Sequence, residues 1–79
     1  MVLRTSARNR LPGKVTALKL GGVMAQIDIQ VGNNHVVAVI TRESAEELEL
    51  KEGDEVIAII KATEVMVGKF DGEGEHHGR

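Results

Sequence analysis

From Val23 to Val31 apolar and polar residues alternate without a break: Val23, Ala25, Ile27, Ile29 and Val31 on one side, Met24, Gln26, Asp28 and Gln30 on the other. A period of two predicts a half-buried strand. Gly21-Gly22 before it and Gly32-Asn33-Asn34 after it are turn residues, so residues 14–20 and 35–41 are expected as its antiparallel neighbours in a meander. Thr41 can cap a short helix over residues 42–48, where Glu43, Glu46 and Glu47 follow the positive end. Gly53-Asp54 marks a turn into a β-branched run over residues 55–61, and residues 64–67 read as a last short strand. Five strands with one short helix after the third predict an all-β, OB-like barrel.

Two of these strands are apolar on both faces, reading Val36-Val37-Ala38-Val39-Ile40 and Val56-Ile57-Ala58-Ile59-Ile60. A lone small barrel buries only one face of each strand, so the outer face predicts a covering subunit and hence a homo-oligomer. Length agrees. With 79 residues the chain holds one domain, expected over residues 1–68, and a core this small needs reinforcement. There is no cysteine to supply a disulfide, which fits a reducing cytoplasm. No apolar run approaches a membrane span and no secretory leader follows Met1, so a soluble cytoplasmic protein without membrane association is expected. Residues 69–79 are Gly-rich and charged, and are expected to be a disordered tail.

The net charge of −2 conceals an asymmetry: residues 1–27 hold no acid, whereas Arg4, Arg8, Arg10, Lys14 and Lys19 all fall there. A basic arm attracts anions locally. The chemistry is sparse. Ser6 and Ser44 lack the glycines of a nucleophile elbow, so no catalytic residue and no enzyme is expected. Gly21-Gly22 and Gly32 are isolated hairpin glycines with no phosphate-loop spacing, and no cofactor is expected. His76-His77 is the only metal-like pair, and adjacent tail histidines lack the spacing of a cation site. A nucleic-acid-binding OB domain is the competing class, but base stacking needs aromatic platforms and Phe70 is the only aromatic residue. What remains is Ser6, Arg8, Thr41, Ser44 and Lys61 with the amides around Ala7 and Ala62. Hydroxyls, amides and one or two cations suit a tetrahedral oxyanion, although each serine or threonine serves a cap or turn equally well.

Three blocks are more specific: Thr5-Ser6-Ala7-Arg8-Asn9, Ile40-Thr41-Arg42-Glu43-Ser44-Ala45-Glu46-Glu47-Leu48 and Ile60-Lys61-Ala62-Thr63-Glu64-Val65-Met66. In this order and spacing the chain resembles the molbindin family, the Mop-type domain of the TOBE/OB-like superfamily found also in molybdate-responsive regulators and transporter ATPases. The resemblance spans residues 5–67. It implies a homo-oligomer, in free-standing members a hexamer built as a trimer of dimers, that binds molybdate or tungstate between subunits for intracellular molybdenum storage. Ser6, Ala7 and Arg8 would come from one subunit, and Thr41, Ser44, Lys61 and Ala62 would complete the oxyanion pocket. A second class of site on the oligomer axes is also implied, with the Gly22-Val23 turn as the candidate. The alternative role is an oxyanion-sensing module acting on a protein partner. Two features depart from the family pattern: Ala62 stands where a hydroxyl residue often follows the lysine, and Arg10 and Pro12 are unusual in the first block.

Overall fold

The computed structural model describes residues 2–72. Its elements are β1 (Asn9–Leu20), β2 (Met24–Val31), β3 (Asn34–Thr41), α1 (Arg42–Glu47) and β4 (Glu55–Ile60), followed by a 3-10 turn over Ala62–Glu64. The strands form one antiparallel sheet in the order β3-β2-β1-β4. The meander, the helix after the third strand and the turn at Gly53-Asp54 match the hydrophobic pattern.

The expected fifth strand is absent among the described residues, and the sheet has four strands that do not close into a barrel. Residues 62–64 wind into the 3-10 turn instead, and Val65, Met66 and Val67 are 47%, 92% and 92% exposed. Val65-Met66-Val67 is an apolar run of strand-like composition, but a strand exists only through a neighbour's ladder, and the described residues offer it none. Residues 69–72 carry no regular structure, and the rest of the expected tail, with His76-His77, lies outside the described residues.

Strand β1 begins at Asn9, earlier than the expected residue 14, and runs through Pro12, a residue that central strands exclude. The ladder with β2 starts only at Lys14, so at Pro12 the sole neighbour is β4 and no bond on the β2 side is lost. A bulge between Val15 and Ala17 then shifts the inward face from Leu11, Gly13 and Val15 to Leu18. Thr16, the extra residue, donates its hydroxyl to the Asp28 carbonyl at 3.3 Å. This slip hides β1 from a strict period-two reading.

The core is Val15, Ala25, Ile27, Ile29, Ala45 and Ala58, with Leu11, Leu18, Val31, Val36, Ala38, Ile40, Leu50 and Val56 packed against it. Val23, expected on the buried side, is 75% exposed because β2 starts one residue later and Val23 belongs to the turn. The two doubly apolar strands divide as the pattern requires: Val36, Ala38 and Ile40 face inward, while Val37, Val39, Ile57 and Ile59 lie open on the outer face.

Gly13 lies against β2 with no room for a side chain. A Cβ there would sit 2.6 Å from the Gln30 carbonyl oxygen, 2.7 Å from Ile29 Cγ2 and 2.9 Å from Val31 Cγ2. A backbone carbonyl in a ladder cannot swing aside. Gly13→Ala is therefore expected to destabilise the fold by about 1–3 kcal/mol, seen as a lower urea midpoint by circular dichroism. An unchanged midpoint would show that β1 is free to lift from β2.

Candidate oxyanion site

The beginning of β1 and the end of β4 are held side by side. Asn9 pairs with Ile60 in the ladder, and its Nδ2 donates to the Ile60 carbonyl at 3.1 Å. The segment entering β1 therefore runs beside the one leaving β4. Between them lies an open cleft of about 470 Å³ lined by Thr5, Ser6, Ala7, Arg8, Ile59, Lys61, Ala62 and Thr63. Of the residues singled out from sequence, Ser6, Ala7, Arg8, Lys61 and Ala62 meet here within one chain.

The cleft's polar side chains are three hydroxyls, of Thr5, Ser6 and Thr63, and two cations, Arg8 and Lys61. Glu64 N–H donates to the Lys61 carbonyl at 2.9 Å and Val65 N–H to the Ala62 carbonyl at 3.4 Å, which leaves the preceding amides of Ala62 and Thr63 outside the turn's own bonds. The Ala7 amide is already engaged, donating to Thr5 Oγ1 at 3.1 Å. An incoming anion would have to take that proton from Thr5, at little cost because the contact is exposed. Salt bridges among the described residues engage Arg42, Lys51 and His35, and neither Arg8 nor Lys61 takes part in one. Both cations are exposed at the cleft, and among the described residues no carboxylate lines it.

Thr41 and Ser44 are not in this cleft. Thr41 ends β3, opposite Met24 at the start of β2, and the ladder carries this end of the sheet to Leu20 at the far end of β1. Twelve residues of β1 lie between the two sets of donors, a path of up to roughly 40 Å along an extended strand. At this second end Thr41 caps α1: its Oγ1 accepts from the Ser44 amide at 3.0 Å and donates to Ser44 Oγ at 2.8 Å. The Ser44 hydroxyl proton is left over for another acceptor. Thr41 also lines a shallow hollow with Gly22, Val23, Arg42, Glu43 and Glu46. Arg42 is committed there, to the Gly21 carbonyl at 2.9 Å and to Glu46 at 3.0 Å.

Sequence reasoning passed over Thr5, Ile59 and Thr63, which also line the cleft. Thr5 and Thr63 lie inside the first and third blocks, beside residues that were chosen, and that position was the available signal. Thr63 also supplies a hydroxyl one residue beyond Ala62, where the family pattern had suggested a gap. Among the described residues no cluster of His, Asp or Glu could hold a cation, and no helix is long and apolar enough to cross a membrane.

The profile of the TOBE domain family matches residues 5–67. Molybdenum-pterin-binding protein 1 of Clostridium pasteurianum is 46% identical over 63 residues, covering 78% of this chain and 93% of that protein. The molybdenum transport protein ModE of Azotobacter vinelandii is 47% identical over 68 residues, 85% of this chain, but the chain spans only 25% of ModE. In structure, a molybdate-binding protein from Sporomusa ovata superposes with a TM-score of 0.81 at 40% identity, covering 85% of this chain and 100% of its own. A profile match over residues 5–67 and near end-to-end likeness to a short molybdenum-pterin-binding protein mean that the chain belongs to the TOBE domain family, in its Mop-type, molbindin branch.

Proposed function

We propose that this protein binds molybdate, or tungstate as a close substitute, non-covalently in sites completed between subunits of a cytoplasmic homo-oligomer, a hexamer, and so stores molybdenum. The observation that carries this reading is the separation of the donors. Ser6, Ala7, Arg8, Lys61 and Ala62 share one cleft, whereas Thr41 and Ser44 lie at the opposite end of β1, so a pocket using both sets draws them from two chains. The outer apolar face, with Val39 60% and Ile59 49% exposed, supplies a surface for such association. The role is binding and not catalysis: the cleft offers donors and two cations, which hold a dianion without activating a nucleophile. Related proteins named for binding molybdenum-pterin or molybdate support the choice of anion.

Charge alone does not separate molybdate from sulfate, since both are dianions. A fixed ring of donors does, because the smaller anion leaves some of them unpaired. Titration calorimetry with molybdate and with sulfate at matched ionic strength, alongside sedimentation velocity, tests the reading. The expected result is an oligomer that binds molybdate saturably and more tightly than sulfate. Equal affinity for the two anions, or a monomer that binds molybdate fully, would defeat it.

A further inference from the structure

We propose that Glu43 is a built-in counter-ion of the oxyanion pocket: it meets Arg8 and Lys61 of a second copy in the empty junction, and an arriving anion displaces it. The inference rests on the two-chain oxyanion reading and deepens it. A pocket that draws Thr41 and Ser44 from one chain and Arg8 and Lys61 from another brings along whatever stands beside each set. Beside Thr41 stand Arg42, Glu43 and Glu46, which line the same hollow. Arg42 and Glu46 satisfy each other at 3.0 Å, whereas Glu43 is in no salt bridge among the described residues. Arg8 and Lys61 are in none either. An exposed carboxylate at one end of the chain and two exposed cations at the other are complementary charges, and a second copy that joins the two ends lets them meet.

The charges decide what Glu43 does there. With Arg42 and Glu46 neutralising each other, two cations and one carboxylate leave the empty junction one charge positive, so Glu43 lessens the repulsion between Arg8 and Lys61. A dianion reverses that effect. It balances both cations by itself, and the carboxylate then becomes a like charge beside it. Glu43 is exposed on a six-residue helix and can turn to water, losing the attraction it had. One residue thus strengthens the assembly without anion and weakens the hold on the anion, which keeps loading reversible. A purely structural role predicts otherwise. Glu43 is the acid in the first turn of α1 and favours the helix there, and loss of that help alone would loosen assembly and anion binding together.

Glu43→Gln in the full-length chain, with Glu47→Gln as the control, tests the proposal. Glu47 carries the same charge on the same helix but does not line the hollow. Sedimentation velocity without anion and calorimetry with molybdate are run on both variants and the unsubstituted protein, at low and high salt. Glu43→Gln is expected to bind molybdate roughly three- to ten-fold more tightly, and to assemble more weakly when anion-free. Both differences should shrink in high salt, while Glu47→Gln behaves as the parent. Unchanged or weaker molybdate binding by Glu43→Gln would overturn the proposal, as would an anion-free assembly no weaker than the parent's. Equal changes in the two variants would also overturn it, since they would mark a general field. An unsubstituted protein that is monomeric or fails to bind molybdate would instead bring down the two-chain oxyanion reading itself.

Discussion

Lys61→Ala and Arg8→Ala are each expected to weaken molybdate binding roughly ten- to a hundred-fold while leaving the fold intact, because each removes a charge-assisted bond to the anion. Both residues line the same cleft, one in the segment entering β1 and the other in the segment leaving β4. Neither is in a salt bridge among the described residues, so truncation strands no carboxylate. Arg4→Ala and Arg10→Ala are the controls. They remove the same charge from the same basic arm, but neither residue lines the cleft, and Arg10 sits in the ladder opposite Ile59. A diffuse cationic surface would respond similarly to the loss of Arg4, Arg8 or Arg10, and salt would screen all three. Calorimetry on the four variants at low and high salt decides the matter, and equal losses would defeat a defined pocket.

Val39→Asp is expected to disperse the oligomer and to abolish molybdate binding with it, although Val39 lines neither the cleft nor the hollow at Thr41. Val39 lies on the outer face of β3, opposite Gln26 and 60% exposed in the single chain, so an aspartate there is solvated and the subunit still folds. In an assembly that covers this face the same carboxylate is buried without a partner. That cost is about 3–5 kcal/mol, or roughly a hundred- to several thousand-fold in association. Sedimentation velocity should show subunits with normal circular dichroism. If the face is simply wet, the substitution changes stability by no more than about 0.5 kcal/mol and sedimentation stays the same. Val39→Thr keeps the shape without the charge and should retain the assembly.

The central part of the fold is legible in sequence because its signals are local. Alternation from Ala25 to Val31, the glycines of both hairpins and Thr41 at its cap position each act within a few residues, and each is found where expected. The start of β1 is not legible in the same way. Pro12 forbids a strand unless one knows that β2 falls short of it, and the bulge at Thr16 exchanges the strand's faces midway. Both are properties of the neighbouring strand. The last four residues of the pattern, 64–67, illustrate the converse, since their apolar run is strand-like but a strand needs a partner that this sheet does not supply. At the site, adjacency in sequence found Ser6 to Arg8 and Lys61 with Ala62 but could not show that the two segments share a wall. Only the pairing of Asn9 with Ile60 brings them together.

Each chain carries its two donor sets at opposite ends of β1, so a pair related by a two-fold axis can lay its β1 strands head to tail and form two arm-to-helix junctions at once. In such a pair the junctions appear and vanish together. Anion occupancy and subunit contact then become linked quantities: free anion holds the pair closed, and dilution of the protein alone releases it. The apparent affinity would rise with protein concentration, and a cell could unload its reserve by lowering subunit abundance without altering the pocket.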